Sequence, residues 1–426
     1  MKILFIACYS PFINNSAAIE TLQYLNKLSE VKGNKVHLLT VDFPENSIYY
    51  DSSLRDMINK DIKVHLIEGG KIFNKLVSRK GNESEKPKTE STKNIKKMKL
   101  LRSIKNAVVI PDMYYSWAKK AGKYGIELMK KENFDLIFSM HEPPSSHLCA
   151  YYIKKENKNI PWITYWSDPW LKDSTREKSF FIKKSIEKSM EKKIVENADK
   201  FIFVTEANRQ DYIDTYKIDK DKTFIITRGF DEELFKRLSK EEKPKLIEEN
   251  KINIIYAGEI FSKLRDIKPF IRALEDISKE RPDLYKKINL MFFGNIDDGE
   301  AKRDLENLEI SKVNKRIPFE EALKYMLNSE VLLIFGNKNS KQIPAKIYEY
   351  FGAKGKIFVI YGDENDPIKK LVENHERCKN TLNNKNDIKN SLIEILETKE
   401  EALLGEVDYN FEWKTITKRL TDIFKK

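Results

Sequence analysis

Short apolar runs alternate with helical stretches along the whole chain, and near the middle that alternation stops and begins again. Residues 2–8 form an apolar run. Residues 17–29 carry Ile19, Leu22, Leu25 and Leu28 near helical spacing, and 35–41 are apolar again. Strand, helix, strand in that order predicts a parallel sheet with helices on its faces. Further strands are expected at 62–67, 134–139, 161–166, 201–204 and 223–226, with helices over 111–131, 145–155 and 180–197. The polar stretch 78–99 reads as a loop or disordered insert. Residues 230–250 are charged and break the rhythm, which places a linker there. The pattern then restarts, with strands at 252–256, 288–293, 331–335 and 357–360 and helices at 267–278 and 319–327. After 384 only helices are expected, at 388–398 and 413–424. A chain of 426 residues is too long for one ordinary domain, and 40% hydrophobic residues let each half bury a core. Two successive α/β units imply a cleft between them, with ligands outside the carboxyl ends of the strands.

Bulk properties exclude several other classes. Cys8, Cys149 and Cys378 are far apart and show neither a pairing framework nor metal-ligand spacing, which favours a reducing compartment. The opening MKILFIACYSP has one basic residue and a very short apolar run, so it fits a buried strand better than a secretory signal. No stretch approaches the ~18 apolar residues of a membrane span. The expectation is a cytoplasmic protein, soluble or peripheral at the inner face of the membrane. Net charge is +12, and 71–105 alone holds 12 basic residues against 3 acidic ones. That segment suits an anionic membrane surface, or is simply a solvated insert. It has no aromatic-interleaved basic motif or recognition helix, so nucleic acid is not expected.

The segment 340–360, SKQIPAKIYEYFGAKGKIFVI, concentrates the chemistry. It reads as a loop, a helix opened by Pro344, a stop at Gly355 and a buried strand. Ile343, Ile347, Tyr350 and Phe351 make the buried stripe. Lys346 and Glu349 are i, i+3 partners on another face. A helix N-terminus with a nearby cation suits a phosphate, and a carboxylate one turn on can accept from ribose hydroxyls. The plain alternative is a solvated Lys–Glu surface pair. The strand-end rule adds His141 after 134–139, Asp168 after 161–166, and Gly258 after 252–256 with Lys263 and Arg265 in the loop beyond. Each has an ordinary counterpart: a structural His, a turn-opening Asp-Pro, surface cations.

Several segments, in order, resemble bacterial glycosyltransferases of the GT-B fold, in the large retaining family four. They are IPDMYYSWAKKA at 110–121, HEPPSSHLCAYYI at 141–153, IPWITYWSDPW at 160–170 and ENADKFIFVTE at 196–206. IITRGFDEELF at 225–235, IIYAGEIFSKLRDIKPFIRAL at 254–274, IPAKIYEYFGAKGKIFVI at 343–360 and FEWKTITKRL at 411–420 complete the set. The resemblance implies two Rossmann-like α/β domains facing a central cleft: 1–230 for the acceptor, 231–408 for the nucleotide sugar, and a terminal helix, 409–426, packing back on the first. It implies Glu349 on the ribose, and Arg265 or Lys263 on the diphosphate. Lys346 and the backbone near Ile343 would sit by the phosphates. His141 would contact the transferred sugar or the phosphates, and Asp168 would shape the acceptor side. Fixed cations at the leaving group make a metal or other cofactor unnecessary. Asp219 and Asp221 form an Asp-x-Asp, but on a polar stretch, and are read as chance.

Four positions depart from the family. Lys341 stands eight positions before Glu349, where the family has Glu. Gly258 is followed by Glu259 instead of Arg. Asn14, Asn15 and Ser16 replace a Gly-Gly loop, and Arg228 replaces Asn. The leading expectation is a glycosyltransferase of bacterial surface polysaccharide synthesis, using a nucleoside-diphosphate sugar and a saccharide or lipid-linked acceptor. The alternatives are a non-catalytic nucleotide-sugar-binding partner and a sugar-nucleotide epimerase of the same fold.

Overall fold

The computed structural model describes residues 1–9, 11–77, 109–172 and 181–426. The basic insert expected at 71–105 is described only at its start, as the short helix Lys71–Leu76 and the residue after it; 78–105 lie outside the described residues. The chain forms two compact units, Met1–Ile226 with Thr417–Lys426, and Thr227–Ile416.

The first unit is built on seven strands: β1 (Lys2–Ala7), β2 (Lys35–Asp42), β3 (Lys63–Glu68), β4 (Leu136–His141), β5 (Trp162–Trp166), β6 (Lys200–Phe203) and β7 (Thr223–Ile225). Their order is β3-β2-β1-β4-β5-β6-β7, and every pairing is parallel. Helices cover such sheets on both faces, so central strands are continuous apolar runs instead of alternating ones. β1 shows this: Ile3, Leu4, Phe5, Ile6 and Ala7 are all fully buried. The helix Ser16–Glu30 starts where Asn15 accepts a hydrogen bond from the Ala18 N–H at 2.8 Å, and it buries Leu22, Leu25 and Leu28. The residues that replace the Gly-Gly loop thus supply a helix cap. The tail of the helix Trp413–Lys425 belongs to this unit: Phe424 packs on Phe138 with ring centroids 5.2 Å apart, and Lys200 Nζ donates to the Ile423 carbonyl at 2.9 Å.

The second unit holds β8 (Ile252–Ala257), β9 (Ile288–Phe293), β10 (Ser311–Asn314), β11 (Val331–Phe335), β12 (Lys356–Tyr361) and β13 (Cys378–Leu382), in the order β10-β9-β8-β11-β12-β13, again all parallel. Both sheets therefore reverse direction beside their first strand, which is the doubly wound topology. Two strands escape the apolar-run reading. SKVN (β10) and CKNTL (β13) are the two edges, each with one neighbour, and are mostly half-buried. Edge strands of this kind need no apolar run. The charged stretch 230–250 is not bare linker either. Asp231 caps a helix, Glu232–Leu238, that buries Leu234, Phe235 and Leu238.

Candidate active site

In open α/β sheets the crevice lies at the carboxyl ends of the strands where the order reverses. In the first unit those are β1 and β4. Beyond β4 come cis peptides at His141–Glu142 and Glu142–Pro143. His141 is buried at 2% exposure, its ring stacked near Trp166 (5.5 Å) and His147 (5.8 Å). Ser167 Oγ donates to the His141 carbonyl at 2.7 Å, tying the end of β4 to the end of β5. Asp168 follows, half-buried. His147 hydrogen-bonds through Nδ1 to Ser139 Oγ at 2.7 Å, and Trp162 Nε1 donates to the same oxygen at 2.8 Å. Burial lowers the His147 pKa to about 3, so the ring is neutral.

Two further residues hold this wall, and sequence reasoning missed both. Asp112, from the IPD segment, accepts from the Tyr114 N–H (2.8 Å), the Ser145 N–H (3.1 Å) and Ser145 Oγ (2.7 Å). It thereby caps the helix Ser145–Glu156, whose own cap position is Pro144. Glu191 is buried on the helix Phe181–Asn197 and accepts from the hydroxyls of Tyr212 and Tyr216. The Tyr212 ring lies 4.9 Å from Trp166, and its hydroxyl accepts from the Trp170 N–H at 3.5 Å. Burial raises the Glu191 pKa to about 7 against the pull of the two hydroxyl donors. Asp112 lay in plain view in a quoted motif; Glu191 offered no sequence signal.

In the second unit the reversal lies between β8 and β11. β8 runs into Gly258. Beside it Gly294 has φ +135°, and a Cβ there would meet the Gly258 carbonyl at 2.1 Å, so only glycine lets these strand ends come together. Arg265 is pinned: Nη1 donates to the Glu259 carbonyl at 2.8 Å and to the Tyr256 hydroxyl at 3.3 Å, and Nε donates to Asn337 Oδ1 at 2.9 Å. Its Nη2 makes no hydrogen bond among the described residues. Asn337, just past β11, uses its amide to donate to the Gln342 carbonyl at 3.1 Å. One side chain thus joins Arg265 to the loop that carries Lys341 and Ile343. Asn337 was not anticipated, although the strand-end rule that selected Gly258 applies to it equally. Asp366 braces the loop after the neighbouring strand β12, accepting from the N–H groups of Gly362 (2.8 Å) and Ile368 (3.1 Å). Lys263 is exposed in the turn before Arg265.

The helix after this loop is Lys346–Gly352, two residues later than a start at Pro344. Tyr350 and Phe351 are fully buried, and Ile343 is half-buried. The expected Lys346–Glu349 pair is absent among the described residues. Lys346 Nζ instead lies over the Phe319 ring, 5.7 Å from its centroid. Glu349 is half-buried, and its Oε2 is shielded from solvent with no hydrogen-bond partner among the described residues. The helix N-terminus is less open than expected: the Ile347 and Tyr348 N–H groups already donate to Pro344 (3.2 Å) and Ala345 (3.1 Å). A phosphate there would rely on the cations and the loop more than on the helix end. Asp219 caps a single exposed turn, accepting from the Asp221 N–H at 3.1 Å, so that pair has a structural role. Among the described residues no group of three or more His, Cys, Asp or Glu side chains could hold a metal ion. No helix among them is long and apolar enough to cross a membrane.

Two doubly wound parallel sheets, with the last residues counted with the first, define the GT-B class. Residues 57–234 match the pattern of Glycosyltransferase Family 4, so that stretch of the chain is similar to the family. No curated protein matches it in sequence. Solved structures match over the full chain. A glycosyltransferase from Rickettsia africae is 15% identical, with TM-score 0.62 and 97% of that chain covered. The Escherichia coli trehalose-6-phosphate protein bound with UDP-2-fluoro glucose is 10% identical, with TM-score 0.65 and 99% covered. A protein from Listeria monocytogenes described as a UDP-N-acetylglucosamine 2-epimerase is 11% identical, with TM-score 0.60 and 95% covered. All three cover 100% of this chain, and at these identities they show its fold.

Proposed function

We propose that this protein is a glycosyltransferase moving a sugar from a nucleoside-diphosphate sugar to a glycan or lipid-linked acceptor, with retention and without a metal ion. The observation that carries this reading is the Glu349 carboxylate, whose Oε2 is buried without a hydrogen-bond partner among the described residues, on the helix that follows β11. A carboxylate shielded from water is costly unless a donor completes it, and two ribose hydroxyls are such donors. Arg265, already fixed by Glu259 and Asn337, keeps Nη2 for the diphosphate. Lys263, Lys346 and the backbone near Ile343 add to that charge, and Gly258 lets the ligand approach the end of β8. When the sugar–phosphate bond breaks, its electron pair goes to the diphosphate, and a pre-set guanidinium stabilises the product oxygen without reorganising. His141 contacts the transferred sugar, and Asp168 orients the acceptor. The UDP-sugar held by the Escherichia coli neighbour favours a uridine donor.

The resemblance extends the proposal to a cytoplasmic enzyme of bacterial surface glycan synthesis (capsule, lipopolysaccharide or exopolysaccharide), touching the inner membrane face through 71–105. Deleting 78–99 is expected to weaken binding to anionic vesicles at low salt. Unchanged binding removes that contact from the proposal.

The first test is thermal unfolding with UDP, GDP, ADP, CMP or dTDP, each with and without EDTA. One diphosphate is expected to raise the midpoint equally in both conditions. Dependence on a divalent ion would overturn the metal-free mechanism. No shift with any nucleotide would overturn the donor site; a shift with no transfer activity favours the non-catalytic nucleotide-sugar-binding partner, the role that Lys341 and Glu259 keep open. Arg265→Ala is expected to lower kcat about a hundredfold or more, the usual loss for one donor on a developing oxyanion.

A further inference from the structure

The helix Lys346–Gly352 has seven residues, and a helix that short does not hold its own shape. Its last carbonyls need partners, and the usual left-handed glycine cap is missing: Ala353 follows with φ −90° and ψ 172°, an extended conformation. A residue more than twenty positions later supplies donors to four carbonyls at this end. Arg377 Nη1 donates to the carbonyls of Ala353 (2.5 Å) and Gly355 (3.1 Å). Its Nη2 donates to those of Tyr350 (3.2 Å) and Phe351 (2.9 Å). Arg377 is 5% exposed, and no carboxylate lies in direct ion-pair contact with it among the described residues. The buried positive charge is balanced by four carbonyls, by the negative end of the helix and by the charge of Asp408 nearby.

The surroundings are shaped for this side chain. A Cβ on Gly405 would stand 2.7 Å from both Cγ and Cδ of Arg377, so a bare glycine makes room for the stem. Phe351 stacks on Phe411 (4.4 Å) and lies against His375 (4.7 Å), which fixes one face of the helix. Tyr350 and Phe351 also accept from the N–H groups of Ala353 (3.2 Å) and Asp408 (3.1 Å), so the guanidinium adds a second donor to each, while the Ala353 and Gly355 carbonyls take theirs from Arg377. Glu349 begins the final turn, three residues before the helix ends. Fraying of that one turn would carry its carboxylate away with it.

We propose that Arg377 is the positioning residue that holds the Glu349 carboxylate in its ribose-binding place, by clamping the carbonyl end of its helix. This rests on the donor site described above. A guanidinium presents two parallel pairs of donors, whereas an ammonium can span only part of the set, so Lys is a poor substitute here.

The test uses the full chain and compares each of UDP, GDP and ADP with its 2′,3′-dideoxy form by calorimetric titration. Wild type is expected to prefer one ribonucleotide on the order of tenfold or more, the worth of hydrogen bonds to a charged group. Arg377→Lys is expected to lose most of that preference while binding the dideoxy form as wild type does. Glu349→Gln loses the same preference, and the double variant loses no more. If Arg377→Lys folds poorly, Gly405→Ala displaces the Arg377 stem and is expected to act in the same direction. A merely structural cap would lower the melting temperature and leave the preference intact, and that outcome overturns the positioning role alone. Wild type that binds no diphosphate, or both sugar forms alike, overturns the donor site and the positioning role with it.

Discussion

Glu191 and His147 lie behind the end of β4, and burial shifts their ionisation in opposite directions. Glu191 moves from the ordinary 4.5 up to about 7, so between those values the native chain holds a proton that the unfolded chain has released. Native proton uptake makes stability fall as pH rises through that window, by up to roughly 3 kcal/mol, and stay level above it. His147 moves from 6.5 down to about 3, so it weakens the fold as pH falls from 6.5 towards 3. The two slopes oppose one another below 6.5, and the difference between variants separates them. Urea unfolding of Glu191→Gln and wild type at pH 5 and pH 8 is expected to show the variant gaining on wild type at pH 8. An equal difference at both values would mean that Glu191 does not titrate there. Neither group was picked out from the sequence, because a Glu or His within a helix looks the same whether it faces solvent or Tyr212 and Trp166.

Elements were legible where one physical rule governs them. β1, β8, β9 and β11 are covered on both faces, and that demand leaves continuous apolar runs that no loop would carry. β10 and β13 were illegible for the converse reason. Caps divide the same way. Asn15 and Asp231 sit next to the helices they cap and follow a local pattern. Asp112 caps a helix 33 residues away, and Arg377 clamps one more than twenty residues before it. Asp112→Ala is expected to cost about 1–2 kcal/mol, as the loss of a good cap does. Hydrogen exchange should quicken at the start of Ser145–Glu156 and leave the second sheet unchanged. Unchanged exchange at Ser145 would show that the cap is dispensable.

At the scale of the whole molecule, the last ten residues are counted with the first unit although the chain reaches them through the second. Leu420 and Ile423 are buried there. Removing 417–426 exposes their partners and is expected to cost the first unit roughly 3–6 kcal/mol. Calorimetry should show one transition moving down and the other staying; a shift of both would mean that the units unfold as one. The sequence by itself determined the class of fold and the strand ends that carry His141, Asp168 and Gly258, since these follow from periodicity and burial along the chain. Tertiary structure alone decided which side chains are fixed and which keep a hand open. Asn337 on Arg265, Arg377 on the Glu349 helix, and the breaking of the Lys346–Glu349 pair in favour of Phe319 all join residues remote in the chain. A linear pattern does not record distances in space, and hydrogen bonds and burial depend on nothing else.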